Sequence, residues 1–310
     1  MSRVLLTGAS GFVGAPLASL LSANGEELHA LSARPVAQLE HGGAHWHHCD
    51  LRDPAALARV IADVRPQRLV HLAWYVSHGR FWSAPENVEW VELSLRLLRA
   101  FAEAGGQRAV LIGSCAEYAW GGEEDLSEES SAIDPQELYG ACKDGLRRVA
   151  AAYAQEAALE LAWGRLFFLY GPREQPDRLV ASVISSLLAG ERVATSEGTQ
   201  VRDFMHVSDV AGALLALLES DVVGAVNIAS GRATSVAEVL ELIGALTGGA
   251  DLIDRGARVS SAVEPPRIVA DVARLTNEVG FRPQVSLEDG LAQTIDWWRE
   301  HGVAPSTSER

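Results

Sequence analysis

Lysine is almost absent. Of the 26 lysines and arginines in this chain of 310 residues, one is a lysine, Lys143. Arginine supplies every other long cation, so Lys143 marks a place that wants a compact, rotatable and tunable ammonium instead of a planar guanidinium. Cysteine is scarce too. Cys49, Cys115 and Cys142 have no metal-like spacing, which argues against a structural zinc cluster and suits a reducing cytoplasm. No apolar run approaches the length of a membrane span, and the chain reads straight into Val4-Leu5-Leu6, so neither a membrane anchor nor a signal peptide is expected. Basic charge is outweighed. The formal charge of −15 argues against nucleic acid or an anionic membrane as partner, and leaves room for a phosphorylated small molecule needing only a few local cations. The run His45-Trp46-His47-His48-Cys49 has no second ligand cluster to complete it. It reads as the edge of a strand, and no metal is expected.

What is present is ordinary globular material: 48% hydrophobic and 22% charged residues, enough for a substantial core. Apolar runs and helical periodicity alternate along the first half. Strands are expected at Val4–Thr7, Glu27–Ser32, His45–Asp50, Arg68–Leu72, Ala109–Gly113 and Leu161–Leu169. Helices are expected at Gly14–Asn24, Pro54–Val64, Val88–Ala104 and from Tyr139 to about Ala158. Strand–helix alternation at this spacing implies an α/β fold built on a doubly wound parallel sheet. From Gly171 onward, prolines punctuate shorter elements. Residues 1–170 are therefore read as one domain and 171–310 as a smaller, interleaved one, with 207–229 packing back on the first and Val303–Arg310 a frayed tail.

The first strand runs into Thr7-Gly8-Ala9-Ser10-Gly11-Phe12-Val13-Gly14, which opens the first helix. Glycines in that context let backbone approach a pyrophosphate held at the helix N-terminus, the arrangement of a dinucleotide loop. At the end of the second strand a carboxylate normally binds the ribose 2′-hydroxyl of NAD. Here Ser32 and Arg34 stand instead, a hydroxyl and a guanidinium suited to a 2′-phosphate, so NADP(H) is favoured over NAD(H). Tyr139 and Lys143 are one helical turn apart and share a face. A cation beside a phenol lowers its pKa and makes it a usable proton donor or acceptor.

Together these residues resemble the extended short-chain dehydrogenase/reductase family of nucleotide-sugar epimerases, dehydratases and 4-ketoreductases. The resemblance rests on the glycine loop, Asp50-Leu51, His71-Leu72-Ala73, Ser114 with Tyr118, and Tyr139 with Lys143. It continues through Arg165–Pro172, Gln200–Phe204, His206–Val210, Asn227–Gly231 and Ala270-Asp271, nearly the whole chain. It implies a Rossmann sheet with a substrate domain. Asp50 and Leu51 would flank the adenine, with Leu72 and Ala73 beside ribose and pyrophosphate. Ser114 would hydrogen-bond the reacting oxygen, Tyr139 would exchange its proton, and Lys143 would hold the nicotinamide ribose and depress the Tyr139 pKa. Arg202 would grip a substrate diphosphate, and relatives of this kind pair as homodimers through their long helices.

Departures narrow the reaction. Family dehydratases carry an Asp-Glu pair after the catalytic hydroxyl residue; here Cys115 and Ala116 stand there, and Glu117 is one place further on. Cys115 is also one place out of register for the catalytic cysteine of the epimerase-reductases. Phe168 replaces a usual substrate-binding Asn, and Trp90 stands at another. Tyr75, with Trp74, Trp82 and Trp120, can line the substrate pocket; His78, Arg80, Arg173 and Arg178 are candidate contacts. The chemistry left is hydride transfer to a ketone with protonation by Tyr139. The expected activity is an NADPH-dependent cytoplasmic ketoreductase, acting on a nucleotide-linked 4-keto-6-deoxyhexose. The alternatives are a nucleotide-sugar 4-epimerase with retained cofactor, reduction of a non-sugar polyketide ketone, and a non-catalytic NADP-binding regulator.

Overall fold

The first strand, Arg3–Thr7 (β1), alternates its side chains between two buried layers. Val4 and Leu6 face one way and Leu5 the other, and all three are fully buried. That two-sided burial is the mark of a central parallel strand covered by helices on both faces. The computed structural model describes residues 2–35, 43–258 and 264–302; Val303–Arg310 lies outside them.

The elements follow in order: Gly14–Ala23 (α1), Glu27–Ser32 (β2), His45–His48 (β3), Pro54–Val64 (α2), Arg68–His71 (β4), Glu86–Glu103 (α3), Arg108–Ser114 (β5), Leu138–Glu156 (α4) and Glu160–Leu166 (β6). The second half holds Phe168–Tyr170 (β7), Leu179–Leu188 (α5), Val193–Ala194 (β8), Val201–Arg202 (β9), Phe204–His206 (β10), Val207–Glu219 (α6), Gly224–Ile228 (β11), Thr234–Ser235 (β12) and Val236–Thr247 (α7). It ends with Ile253–Asp254 (β13), Arg267–Ile268 (β14), Ala273–Asn277 (α8) and Leu287–His301 (α9).

Among the described residues the main sheet has seven strands in the order β11-β6-β5-β4-β1-β2-β3, every neighbouring pair parallel. The order reverses between β1 and β4, and a crevice at the carboxyl ends of strands beside such a reversal is where ligands bind in this architecture. One face carries α1 and α6, with Leu17, Leu21, Leu214 and Leu217 fully buried. The other carries α2, α3 and α4, burying Leu57, Leu97, Phe101 and Leu146. α2 begins where its sequence says it should, with Pro54 at its first position and the Asp53 carboxylate accepting from the N–H groups of Ala55 and Ala56.

One expectation fails in detail. The apolar run Leu161–Leu169 is not a single strand: β6 stops at Leu166, and β7 leaves the main sheet to pair with β10. No turn residue marks the break, which falls at the buried Phe167. His45–His48 is the edge strand of the sheet, with the His29 ring stacked between those of His45 and His47 at centroid separations of 5.1 and 5.2 Å. No helix among the described residues is long and apolar enough to cross a membrane.

Asp203, between β9 and β10, stitches the second half to the sheet. It is fully buried, and its carboxylate accepts from Ser230 N (2.8 Å), Ser230 Oγ (2.6 Å), Gly231 N (2.9 Å) and Ala270 N (3.3 Å). Asp203→Ala strands these donors in the interior, and the expected loss is about 3 kcal/mol or more in urea unfolding. An unchanged midpoint would show that the junction is held by packing alone.

Candidate active site

At the switch point a network of buried hydroxyls and an imidazole holds the floor of the crevice. Ser94 Oγ donates to the Trp90 carbonyl (2.6 Å), so the 2.8 Å contact to His71 Nε2 has the ring donating. His71 Nδ1 then accepts from Thr7 Oγ1 (2.7 Å), which itself accepts from Ala73 N (3.2 Å). Burial pushes the His71 pKa down to about 3, so the ring is a neutral spacer between β4 and β1 and not a base.

Above that floor lies the β1–α1 loop. Gly8 takes a left-handed φ of 70°, and a Cβ on Gly14 would overlap the Gly8 carbonyl, so only glycine lets the loop fold this tightly onto the helix start. The first turn of α1 has neither a capping side chain nor a carboxylate, so the positive end of its dipole is open to an anion. A cavity of about 210 Å³ opens beside it, lined by Gly8, Ser10, Ser32, Arg34, Asp50 and Ala73 among others. Residues assigned to cofactor binding from four separate strand ends therefore meet in one space, with Leu51 also on its wall. Arg34 Nη2 donates to Ser10 Oγ (2.6 Å), and its backbone N–H donates to Ser32 Oγ (3.0 Å). Arg52 and Trp90 line the same cavity, although the sequence pattern pointed to neither as a cofactor contact. Arg52 is engaged by Glu89 through a two-pronged pair at 2.7 and 2.9 Å. Phe12, Val13 and Leu72, also expected at the cofactor, are half-buried and do not line this cavity.

The candidate reacting groups come from β5 and α4. Ser114 ends β5 and caps a short 3-10 turn, Cys115–Glu117: its Oγ accepts from Ala116 N (3.2 Å), and the Glu117 carboxylate accepts from Ser114 N (2.8 Å). A Cβ at Gly140 would overlap the Ala116 carbonyl, so α4 packs directly on that turn and sets Tyr139 against Ser114. Trp82 and Phe81 meet the Tyr139 ring edge-on at 5.9 and 5.0 Å, and Tyr139 N–H donates to the Trp82 carbonyl (3.0 Å). Lys143 is buried, with Nζ donating to the Ile112 carbonyl at 2.8 Å.

The electrostatics depart from expectation. Lys143 was expected to depress the Tyr139 pKa, yet burial pushes the phenol up to about 12, and its hydrogen bond with Ser114 offsets only part of that. Lys143 is desolvated as well: burial takes its pKa down to about 7, with Glu117 as the largest opposing influence. A cation that is itself costly to keep charged, 5.9 Å from the phenol ring centroid, does not overcome the shared apolar surroundings.

Glu117 is not free to act as an acid. It is fully buried, and beyond Ser114 N it accepts from Trp163 Nε1 (3.0 Å) and pairs with Arg165 Nε (2.7 Å). Cys115 sits in a core cluster with Tyr118 and Phe167, its thiol pushed up to about 12 by burial. Phe168 lies under the Arg202 guanidinium, 5.4 Å from its ring centroid, and Arg202 pairs with Glu264 at 2.8 Å. Arg178 is half-buried, 5.6 Å from the Phe81 centroid and within electrostatic reach of Tyr139 and His78. Its guanidinium makes no hydrogen bond or ion pair among the described residues, and its charge also reaches the buried Glu174. Tyr75 is half-buried on the α3 side and His78 is exposed. No group of histidine, cysteine or acidic side chains among the described residues could hold a metal ion.

Comparison with known proteins follows the same outline. Residues 4–229 match the model of the NAD dependent epimerase/dehydratase family. The dTDP-4-dehydro-6-deoxy-D-allose reductase of Streptomyces bikiniensis is 28% identical, covering 96% of this chain and 96% of its own length. Among solved structures, MoeE5 in complex with UDP-glucuronic acid and NAD is 32% identical with a TM-score of 0.84, covering 96% of this chain and 99% of the other. The UDP-glucose 4-epimerase of Thermotoga maritima, solved with UDP-glucose, is 25% identical with a TM-score of 0.85, at the same coverage.

Two variants probe this geometry. Gly140→Ala should push α4 off the Ser114 turn and cost about 100-fold in kcat while leaving far-UV dichroism intact; undiminished kcat would show that the close approach does not set the Tyr139–Ser114 geometry. Lys143→Met should abolish most turnover yet stabilise the fold. The folded pKa lies at about 7 against an ordinary 10.5, so folding is penalised by the buried charge most fully at and below pH 7. Between those values the unfolded chain binds more protons, and the penalty fades as pH rises. The melting temperature of the variant should exceed that of the wild type at pH 7, by on the order of 3 kcal/mol in stability, and the gap should close toward pH 10. A gap that is absent or widens with pH contradicts the buried-ammonium assignment.

Proposed function

The chain belongs to the NAD dependent epimerase/dehydratase family, the extended short-chain dehydrogenase/reductases acting on nucleotide sugars, and within it we propose an NADPH-dependent ketoreductase. Its substrate is a nucleotide-linked 4-keto-6-deoxyhexose. The observation that carries the reading is the engagement of Glu117: the one carboxylate next to Ser114 is consumed by Ser114 N, Trp163 and Arg165. Dehydration needs a second proton carrier beside the hydroxyl pair, and none is free there. What remains is one proton at one oxygen.

The residues present fit a nicotinamide dinucleotide. The uncapped start of α1 and the glycine loop would receive the pyrophosphate, Asp50 and Leu51 the adenosine, and Lys143 the nicotinamide ribose. Bound there, the cofactor supplies the hydride; the protein supplies position and a proton. Ser114 Oγ and the Tyr139 hydroxyl would hold the carbonyl oxygen between them, and Tyr139 would protonate the alkoxide as it forms. A phenol with a pKa of about 12 is fully protonated at neutral pH, the state a donor needs. Arg202 and Arg178 would meet anionic parts of the substrate. Ser32 and Arg34 support the choice of NADPH, since a hydroxyl and a guanidinium stand at the end of β2 where an NAD site has its carboxylate.

We assign residues 1–170 to the cofactor and 171–310 mainly to the substrate. The protein acts in the cytoplasm, in keeping with its three unpaired cysteines. It works as a homodimer through the outer faces of α3 and α4, where Val88 and Val149 are exposed. A nucleotide-sugar 4-epimerase is the second reading, favoured by the likeness to the Thermotoga enzyme.

The test is NADPH oxidation against a panel of nucleotide-linked 4-keto-6-deoxyhexoses. One equivalent should be consumed per sugar reduced, and Arg34→Asp should weaken NADPH about 10- to 100-fold while sparing NADH. Interconversion of 4-epimers with no net NADPH consumption would replace this reading with the epimerase.

A further inference from the structure

Trp74 comes directly after His71-Leu72-Ala73, at the lip of β4, and its side chain is buried. The face of its ring lies against Lys143, with Nζ 3.6 Å from the ring centroid. Lys143 makes no ion pair among the described residues; its hydrogen-bond partner is the Ile112 carbonyl. The indole is not free to turn. Nε1 donates to Asn87 Oδ1 (2.9 Å), and Asn87 is fully buried, with its Nδ2 donating to the carbonyls of Phe81 (2.7 Å) and Ala84 (2.9 Å). Trp90 flanks the ring at 6.1 Å. One asparagine thus holds both the ring beneath Lys143 and the segment whose Phe81 ring meets Tyr139.

We propose that Trp74 is a positioning residue: its π-face, oriented by Asn87, keeps Lys143 charged and aimed along the cleft wall toward Tyr139. The inference rests on the assignment of Lys143 as a cation of the active site. An ammonium over an indole is attracted by the ring quadrupole, and most strongly where water is excluded. The surroundings leave that task to the ring. From the turn after β5, Glu117 favours the charge but is itself committed to Arg165 and Trp163. From α4, Cys142 and Tyr139 are neighbours whose pKa values are raised, so both are neutral near pH 7. From β4, His71 is neutral, and α3 contributes the Ser94 hydroxyl bound to it.

The chain's single lysine makes the test direct. Protein grown on lysine labelled with ¹³C and ¹⁵N has one lysine ε-methylene signal, whose shift against pH reports Lys143 alone. In the wild type its protons should lie upfield of the free amino acid, because the ring sits over them, and should titrate near pH 7. Trp74→Leu should abolish the upfield displacement and lower the midpoint by about one pH unit. Trp74→Phe, which keeps a ring face without the indole N–H, should retain most of both. The alkaline limb of kcat should move down with the midpoint in Trp74→Leu and return in Trp74→Phe. No upfield displacement in the wild type overturns the proposal, and that arm needs no variant. A Trp74→Leu midpoint that stays or rises overturns it equally. The resonance is read without substrate, so a wrong choice between reductase and epimerase leaves this result standing.

Discussion

The Glu117–Arg165 pair is the interaction on which the site depends. Both side chains are buried almost completely, and Arg165 Nη1 reaches on to the Tyr118 hydroxyl (2.9 Å), which donates to Asn227 Oδ1 (2.9 Å). β5, β6 and β11 are thereby joined at their carboxyl ends by side chains as well as by the sheet. Removing one partner of such a pair leaves a buried charge, a cost of about 3–5 kcal/mol. Its functional consequence is larger than its share of stability. Glu117 grips Ser114 N, so the backbone presenting the Ser114 hydroxyl is fixed by the same carboxylate that is thereby withdrawn from acid–base chemistry.

Burial sets the protonation states around that hydroxyl. Burial moves Tyr139, which packs against Phe81 and Trp82, and Lys143 in opposite directions on the pH scale, and both toward their neutral forms. Near neutrality the phenol keeps its proton while the ammonium sits at its midpoint. A site in this state is poised to deliver a proton to an oxygen that is gaining charge. Arg178 and Arg202 each lie against an aromatic ring, that of Phe81 and that of Phe168.

Much of this was legible in the residues. The glycine loop, the helix bearing Tyr139 and Lys143, and the strand ends at Ser32 and Asp50 all follow from local patterns, and they converge because a parallel sheet brings its carboxyl ends together. What was not legible depended on distant contacts. The Tyr139 pKa is set by burial, and the rings packed on the phenol, Phe81 and Trp82, come from a loop far upstream. The break between β6 and β7 falls at the buried Phe167, where an apolar side chain takes the place of a turn residue. Glu117 stands one place from the position a catalytic acid would take, and only the 3-10 turn shows that its side chain points inward to Arg165. Trp74 could be read as an aromatic near the pocket; its place over Lys143 required the Asn87 hydrogen bond, which no spacing announces.

The central claim is that this site handles one proton, at one oxygen, through Tyr139, because Glu117 is locked. Turnover of a nucleotide-linked 4-keto-6-deoxyhexose in D₂O with unlabelled NADPH, with the product read by NMR, tests it most directly. The account predicts no deuterium on any sugar carbon, the new C–H bond at C4 coming from the cofactor. Deuterium at the carbons flanking C4, introduced only when the enzyme is present, would require a second acid–base group and would contradict it.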